Sequence, residues 1–160
     1  MELKIILEII MNLLNIKMFR VELYSKKNEI QWDSFIDSPK NGSFLFKRAY
    51  MDYHSDRFLD FSLLIYRKDR LYALMPANKV DSTLFSHQGL TFGGIIMSSK
   101  VTTSEMLEVF PLINNFLKSN GFQKVIYKSI PYIYHNIPSQ EDLYVLFRTT
   151  NAKIIGRNIF

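Results

Sequence analysis

The stretch SHQGLTFGGIIM, Ser86 to Met97, places a histidine and three glycines between two apolar segments. Glycines let backbone N–H groups crowd an anion with no side chain in the way, and an imidazole titrating near neutrality can take a proton or bind a phosphate. Two chemistries are open here. One is an anion-binding loop with His87 as a base; the other is a flexible bend with His87 bonded to a backbone carbonyl in the core. The remaining histidines, His54 in YMDYH and His135 in YIYH, each follow a tyrosine and have no second ligand three or four residues away, so no metal site is expected. Glu141 and Asp142 are neighbours in a helix start, where adjacent side chains diverge, and do not form an acid/base pair.

Several enzyme classes drop out. The chain has no cysteine, which excludes disulfides, thiolate nucleophiles and cysteine-containing zinc sites. No G-x-S-x-G turn, Walker loop or dinucleotide fingerprint occurs. The excess of 20 Lys and Arg over 15 Asp and Glu favours anionic partners, but the basic residues are scattered, and RKDR (Arg67 to Arg70) reads as a solvated turn. Nucleic-acid binding is not expected.

The elements that must position these groups form one domain of about 140 residues, residues 18–160, after an extension at 1–17. Glu2 and Glu8 interrupt that extension, and its longest uncharged run, Ile9 to Ile16, is far short of the ~20 residues that span a bilayer. A cytoplasmic location without a membrane span is therefore expected. Met18 is a plausible translation start; the competing reading of 1–17 is a short amphipathic helix.

Phe19 to Tyr24 alternates as a strand, and Asn28 caps a helix presenting Ile30, Trp32, Phe35 and Ile36. A second helical stretch, FLFKRAYMDYH, carries Phe46, Ala49, Tyr50 and Tyr53 at helical spacing, which favours core packing for both tyrosines. Ser62 to Tyr66 and Leu71 to Met75 form a hairpin, and a third strand near Thr83 to Phe85 runs into the glycine loop. The run TTSE makes a capping box at Thr102 and Glu105, opening a long helix that buries Met106, Val109, Phe110, Ile113, Phe116 and Leu117 and is kinked by Pro111. KVIYKSIP, from Lys124, is a buried strand. Ser139 caps a helix turning Leu143, Leu146 and Phe147 inward, and AKIIGRNIF is strand-like, ending on a sheet edge as in half of a longer protein.

This order of strand, two helices, three antiparallel strands, glycine loop, long helix, strand, helix and strand resembles the GNAT acyltransferase fold over nearly all of residues 19–160. The glycine loop, long helix and IPYIYHNIPSQEDLY look more narrowly like Fem-type and tandem-GNAT proteins of bacterial envelope and polysaccharide synthesis, as an N-terminal half. The resemblance implies an α/β (α+β) architecture: a mixed, mostly antiparallel sheet flanked by helices on both faces, with a second GNAT-like domain following. It implies acyl or aminoacyl transfer from acetyl-CoA or another acyl donor, without a metal, to an amine of a small-molecule, glycan or peptide precursor.

Under that resemblance Ser86, Gln88, Gly89, Thr91, Gly93 and Gly94 hold the cofactor. His87 and Tyr134 are catalytic, as base and proton donor, and Tyr50, Asp52, His54 and His135 border the acceptor. The family's phosphate signature has glycine three residues after Gln or Arg, where this chain has Thr91 after Gln88. Fem-type N-terminal halves commonly lack that signature too, so a second reading stands beside the first: a non-catalytic half that binds the acceptor or braces a catalytic partner.

Overall fold

The computed structural model describes residues 18–156. The extension at 1–17 and residues 157–160 of the last predicted strand lie outside it. Among the described residues the architecture is mixed α+β, with two mostly antiparallel sheets.

Strand β1 (Phe19–Leu23) turns Phe19 into the core, and helix α1 (Glu29–Ile36) buries Trp32 and Ile36 while Ile30 stays 83% exposed. Asn28 precedes this helix without a side-chain cap bond; its carboxamide instead accepts from the Ser25 N–H at 3.1 Å. The single helix predicted over Phe44 to His54 is broken into a 3-10 turn (Phe44–Phe46), a four-residue α2 (Arg48–Met51) and a second 3-10 turn (Asp52–His54). Lys47 is extended between them, and that break changes which side faces inward. Arg48 and Met51 are buried, whereas Tyr50 and Tyr53, expected in the core, are exposed.

Next come β2 (Leu59–Asp60), β3 (Leu63–Arg67), β4 (Arg70–Met75), β5 (Asn78–Val80), β6 (Thr83–Phe85) and β7 (Ile96–Met97). They are three long stretches, each interrupted once. One sheet has the order β1-β3-β4-β7, the other β2-β5-β6-β8, where β8 is Lys124–Ile126. The interruptions at Ser62 and Ala77 are stitched to each other, with the Ala77 N–H donating to Ser62 Oγ at 3.1 Å and Phe61 N–H to the Ala77 carbonyl at 2.9 Å. Pro76 has no N–H to offer a ladder there.

Helix α3 (Thr103–Ser119) starts at the predicted cap, with Glu105 N–H donating to Thr102 Oγ1 at 3.3 Å. It runs on through Pro111 and ends beside Gly121, whose φ of +84° suits glycine. The predicted strand from Lys124 to Pro131 is shorter and less covered than expected: after Ile126 the chain leaves the ladder, and Lys124 and Val125 are exposed. Helix α4 (Glu141–Thr149) is capped at Gln140, not Ser139, whose hydroxyl goes to the Glu141 carboxylate at 3.0 Å. Residues 152–156, predicted as strand, form none.

Strand alternation divides the core in two. Leu63, Ile65, Ala73, Met75 and Met97 meet Met106, Val109, Ile113 and Val145 on one face; Leu64, Tyr66, Leu74 and Ile96 meet Trp32, Ile36, Phe46 and Met51 on the other. Helices therefore cover both faces, as expected.

Candidate functional site

Among the described residues one pair of strands is parallel, β6 with β8, and it ends at Phe85 and Ile126. The Ser86 N–H donates to the Ile126 carbonyl at 3.0 Å, and Ser86 Oγ accepts from the Lys128 N–H at 2.7 Å. Past this clasp β7 stays in the ladder of β4, and a gap in strand pairing separates it from the segment following β8. A gap between parallel strands can hold an extended guest, provided its backbone groups are free.

Here they are taken by the chain itself. The Ile95 N–H donates to the Tyr127 hydroxyl at 2.8 Å, and that hydroxyl donates to the Asp142 carboxylate. Asn41 lies along β7 like a strand residue, its Oδ1 accepting from the Met97 N–H at 2.8 Å and its Nδ2 donating to the Ile95 carbonyl at 2.9 Å. Lys40 completes the seal. Its N–H donates to the Met97 carbonyl at 2.8 Å, its carbonyl accepts from the N–H groups of Asn136 and Ile137 at 2.7 and 3.0 Å, and its buried ammonium pairs with Glu141.

Burial pushes Asp142 above the usual carboxylate range even though Tyr127 opposes the shift, and burial and Asp142 together push the Tyr127 hydroxyl well up. For Glu141, burial acts upward, but the bonds from Lys40 and Ser139 win and hold it below its ordinary value.

Three carbonyls of the glycine loop converge on one lysine. Lys128 Nζ sits 3.1, 3.3 and 2.7 Å from the carbonyl oxygens of His87, Gln88 and Leu90. The Gln88 N–H is bound to Asn78 Oδ1 at 2.8 Å, and Asn78 Nδ2 donates to Gln88 Oε1 at 2.7 Å. The glycines permit close internal packing: a Cβ on Gly93 would overlap the Ser86 carbonyl, and Gly94, at φ +91°, lies against the Tyr127 ring. The Lys128 ammonium thus fills the carbonyl cluster of the loop, and Asn41, Tyr127 and Lys40 occupy the backbone groups at the edge of β7.

His87 is buried in the left-handed region at φ +65°, which few residues other than glycine adopt, His, Asn and Asp more often than most. Phe58 packs against the ring at 5.5 Å, and Nδ1 makes no hydrogen bond among the described residues. Burial lowers its pKa to about 4, Asp60 acting in the opposite sense. The ring is thus neutral at physiological pH and enclosed, as the core reading had it, although Nδ1 has no carbonyl partner among the described residues.

Of the predicted acceptor residues, Asp52 joins Asp60 in binding the buried Arg48 guanidinium, at 2.5 and 3.0 Å, while that guanidinium stacks 3.7 Å over the Tyr24 ring. Tyr134 reaches the glycine loop, its ring stacked on Phe92 at 4.9 Å, whereas Tyr50 packs edge-on to Phe44 at 5.9 Å. His135 Nε2 donates to the Ile130 carbonyl at 3.1 Å. Thr91 is exposed. For His54 only the backbone is described. The structure thus gathers the Ser86–Gly94 loop around Lys128 with Tyr134 stacked on its Phe92, and leaves Tyr50 in an aromatic pair with Phe44.

Lys40, Asn41, Tyr127 and Lys128 were not singled out by sequence, and Asp142 was read only as part of a helix start. A charge inside the apolar run VIYKSI was the one available signal.

Compared with protein-family models the chain matches none, and no curated protein is significantly similar to it. Among the described residues no group of three or more His, Asp or Glu is placed to hold a metal, and no helix is long and apolar enough to cross a membrane.

Proposed function

We propose that this chain is a GNAT-like half of the Fem or tandem type that binds an acceptor or braces a catalytic partner, and does not itself carry the acyl donor. The antiparallel meander, one parallel strand parting at Ser86, and helices on both faces support the GNAT-like part of this reading. The non-catalytic part rests on one observation: Tyr127, Asn41 and Lys40 satisfy the backbone groups of β7 that face the gap. Inserting a thioester arm there means breaking buried bonds to Asn41 and Tyr127, each costing about 1–3 kcal/mol if left unmade. Isothermal titration of the chain with acetyl-CoA is expected to give no binding heat at millimolar ligand. A dissociation constant in the micromolar range overturns the reading.

Catalysis is a second reading because of His87, a strained and buried ring with an unpaired nitrogen, features that cluster at active sites. In it, His87 removes the acceptor amine's proton, and Tyr134 supplies one to the leaving group. Acyl transfer by the full protein that is abolished in His87→Ala, with the melting temperature kept, favours this alternative; unaffected transfer removes it.

A further inference from the structure

Among the described residues four buried side-chain polar atoms have no hydrogen-bond partner, and three of them, the Tyr24 hydroxyl, Arg48 Nε and His87 Nδ1, belong to one polar cluster. At its centre the Arg48 guanidinium binds Asp52 at 2.5 Å and Asp60 at 3.0 Å and lies 3.7 Å over the Tyr24 ring. Asp60 pairs across the ladder with Asn78, which holds Gln88 by its main-chain N–H and by its side chain, and this brings His87 alongside. Of the charges around His87, Asp60 acts on it most strongly and Arg48 next. The Asp52 and Asp60 side chains are 31% and 34% exposed, so they form a rim with the three orphaned atoms beneath it. Phe58, which lies against the His87 ring, follows an exposed run at 55–57, and rotation of this one side chain uncovers the imidazole. Orphaned buried polar atoms are rare in folded proteins, and three in one cluster point to a ligand.

The chemistry of the cluster selects that ligand. Each charge already has an opposite partner, Arg48 with Asp52 and Asp60, and Lys26 with Glu29 and Asp52, so a free anion or cation finds no unpaired countercharge. What is open is a mixed set. Arg48 Nε donates, the carboxylate rim accepts, the Tyr24 hydroxyl does both, and His87 Nδ1 takes either role according to its tautomer. A hydroxyl group answers every one of these, because it donates and accepts. Tyr50 and Tyr53, both exposed, stand on either side of Asp52 in the sequence, and an aromatic face receives the C–H face of a sugar ring. We propose that this cluster is a carbohydrate site, in which hydroxyls of a neutral sugar ring bind the Asp52–Asp60 rim and reach Arg48 Nε, the Tyr24 hydroxyl and His87 Nδ1. In the acceptor-binding reading above, the sugar belongs to the acceptor; that role rests on that reading, whereas the binding does not.

Saturation-transfer NMR and titration calorimetry of the full chain with glucose, galactose, rhamnose and N-acetylglucosamine test this. At least one sugar is expected to bind with a dissociation constant of about 1 mM or below, and methylammonium and inorganic phosphate are expected not to displace it. Tyr24→Phe keeps the ring under Arg48 and removes a hydroxyl that makes no hydrogen bond in the free protein. Its melting temperature should therefore be unchanged or raised, while the sugar binds on the order of tenfold more weakly. Asp52→Asn, on the rim, should weaken binding as well. No binding by any of the four sugars overturns the proposal, and so does binding indifferent to both substitutions or a charged probe that binds more tightly than the sugars. A lowered melting temperature of Tyr24→Phe would mean that the hydroxyl is already satisfied, and overturns it too. The acetyl-CoA titration reports on the gap lined by Asn41 and Tyr127, so that reading and this site can fail separately.

Discussion

Lys128 Nζ lies 2.7 Å from the Leu90 carbonyl oxygen, inside a cage that the carbonyls of His87 and Gln88 complete. An ammonium held by three carbonyls does for this loop what a bound cation would do, fixing a glycine-containing bend from within. Burial lowers the Lys128 pKa, while three converging carbonyls favour the form with three N–H donors. Lys128→Met keeps the stem and removes the charge. Chemical denaturation should show a loss of about 1–2 kcal/mol, discounted for partial exposure, and faster amide exchange at Leu90. An unchanged midpoint would mean that the loop is set by its glycines alone.

His87 links this loop to pH. A base whose folded pKa lies near 4, below the ordinary ~6.5, is protonated more readily unfolded, so the folded state is favoured fully above pH ~6.5. Stability then falls as pH drops from about 6.5 to about 4, by about 3 kcal/mol in total. His87→Asn keeps a residue that tolerates positive φ and removes the titration. Its unfolding free energy should decline less steeply than the parent's over that window; parallel curves would show that the ring reaches water.

What was legible in the sequence was local. The cap at Thr102 and the stripe from Met106 to Leu117 are written within one helix, and the β3–β4 hairpin within fourteen residues, so these were read correctly, although the Glu105 carboxylate turns to Tyr72 and Arg67 and does not close a capping box on the Thr102 N–H. The inner face of the 44–54 segment was not legible. Arg48 turns inward because Tyr24, Trp32 and Asp60, from three other elements, receive it. On α4 the period was correct and the stripe wrong, Leu143 and Phe147 being exposed and Val145 buried, since periodicity does not say which of two apolar stripes a neighbouring helix will meet. Asn41 reads as a turn residue because its partners lie 54 and 56 positions away.

Asn41 is accordingly the residue whose loss should be felt furthest from itself. Asn41→Ala leaves the Met97 N–H and the Ile95 carbonyl buried without partners, a cost of about 2–4 kcal/mol for the two groups. Asn41→Asp restores the acceptor but not the donor, and should be no better because it buries an unpaired charge. Urea unfolding measures both. Equal stability of the alanine variant and the parent would mean that water reaches β7, and would reopen the gap to a guest.

Asp142 offers a test with the opposite sign. Its folded pKa is raised, so the carboxyl holds its proton more tightly folded than unfolded; ionisation costs stability at neutral pH, and the cost disappears as pH falls through the folded pKa. Asp142→Asn retains an oxygen to accept from the Tyr127 hydroxyl and removes the charge. At pH 7 this variant should be at least as stable as the parent, with the advantage gone near pH 4. Tyr127→Phe, in contrast, strands both the Ile95 N–H and the Asp142 carboxylate, and should cost about 2–3 kcal/mol at pH 7. If Asp142→Asn proves as damaging as Tyr127→Phe, the carboxylate charge holds the gap closed, and Asp142 becomes the first residue to examine for a proton-transfer role there.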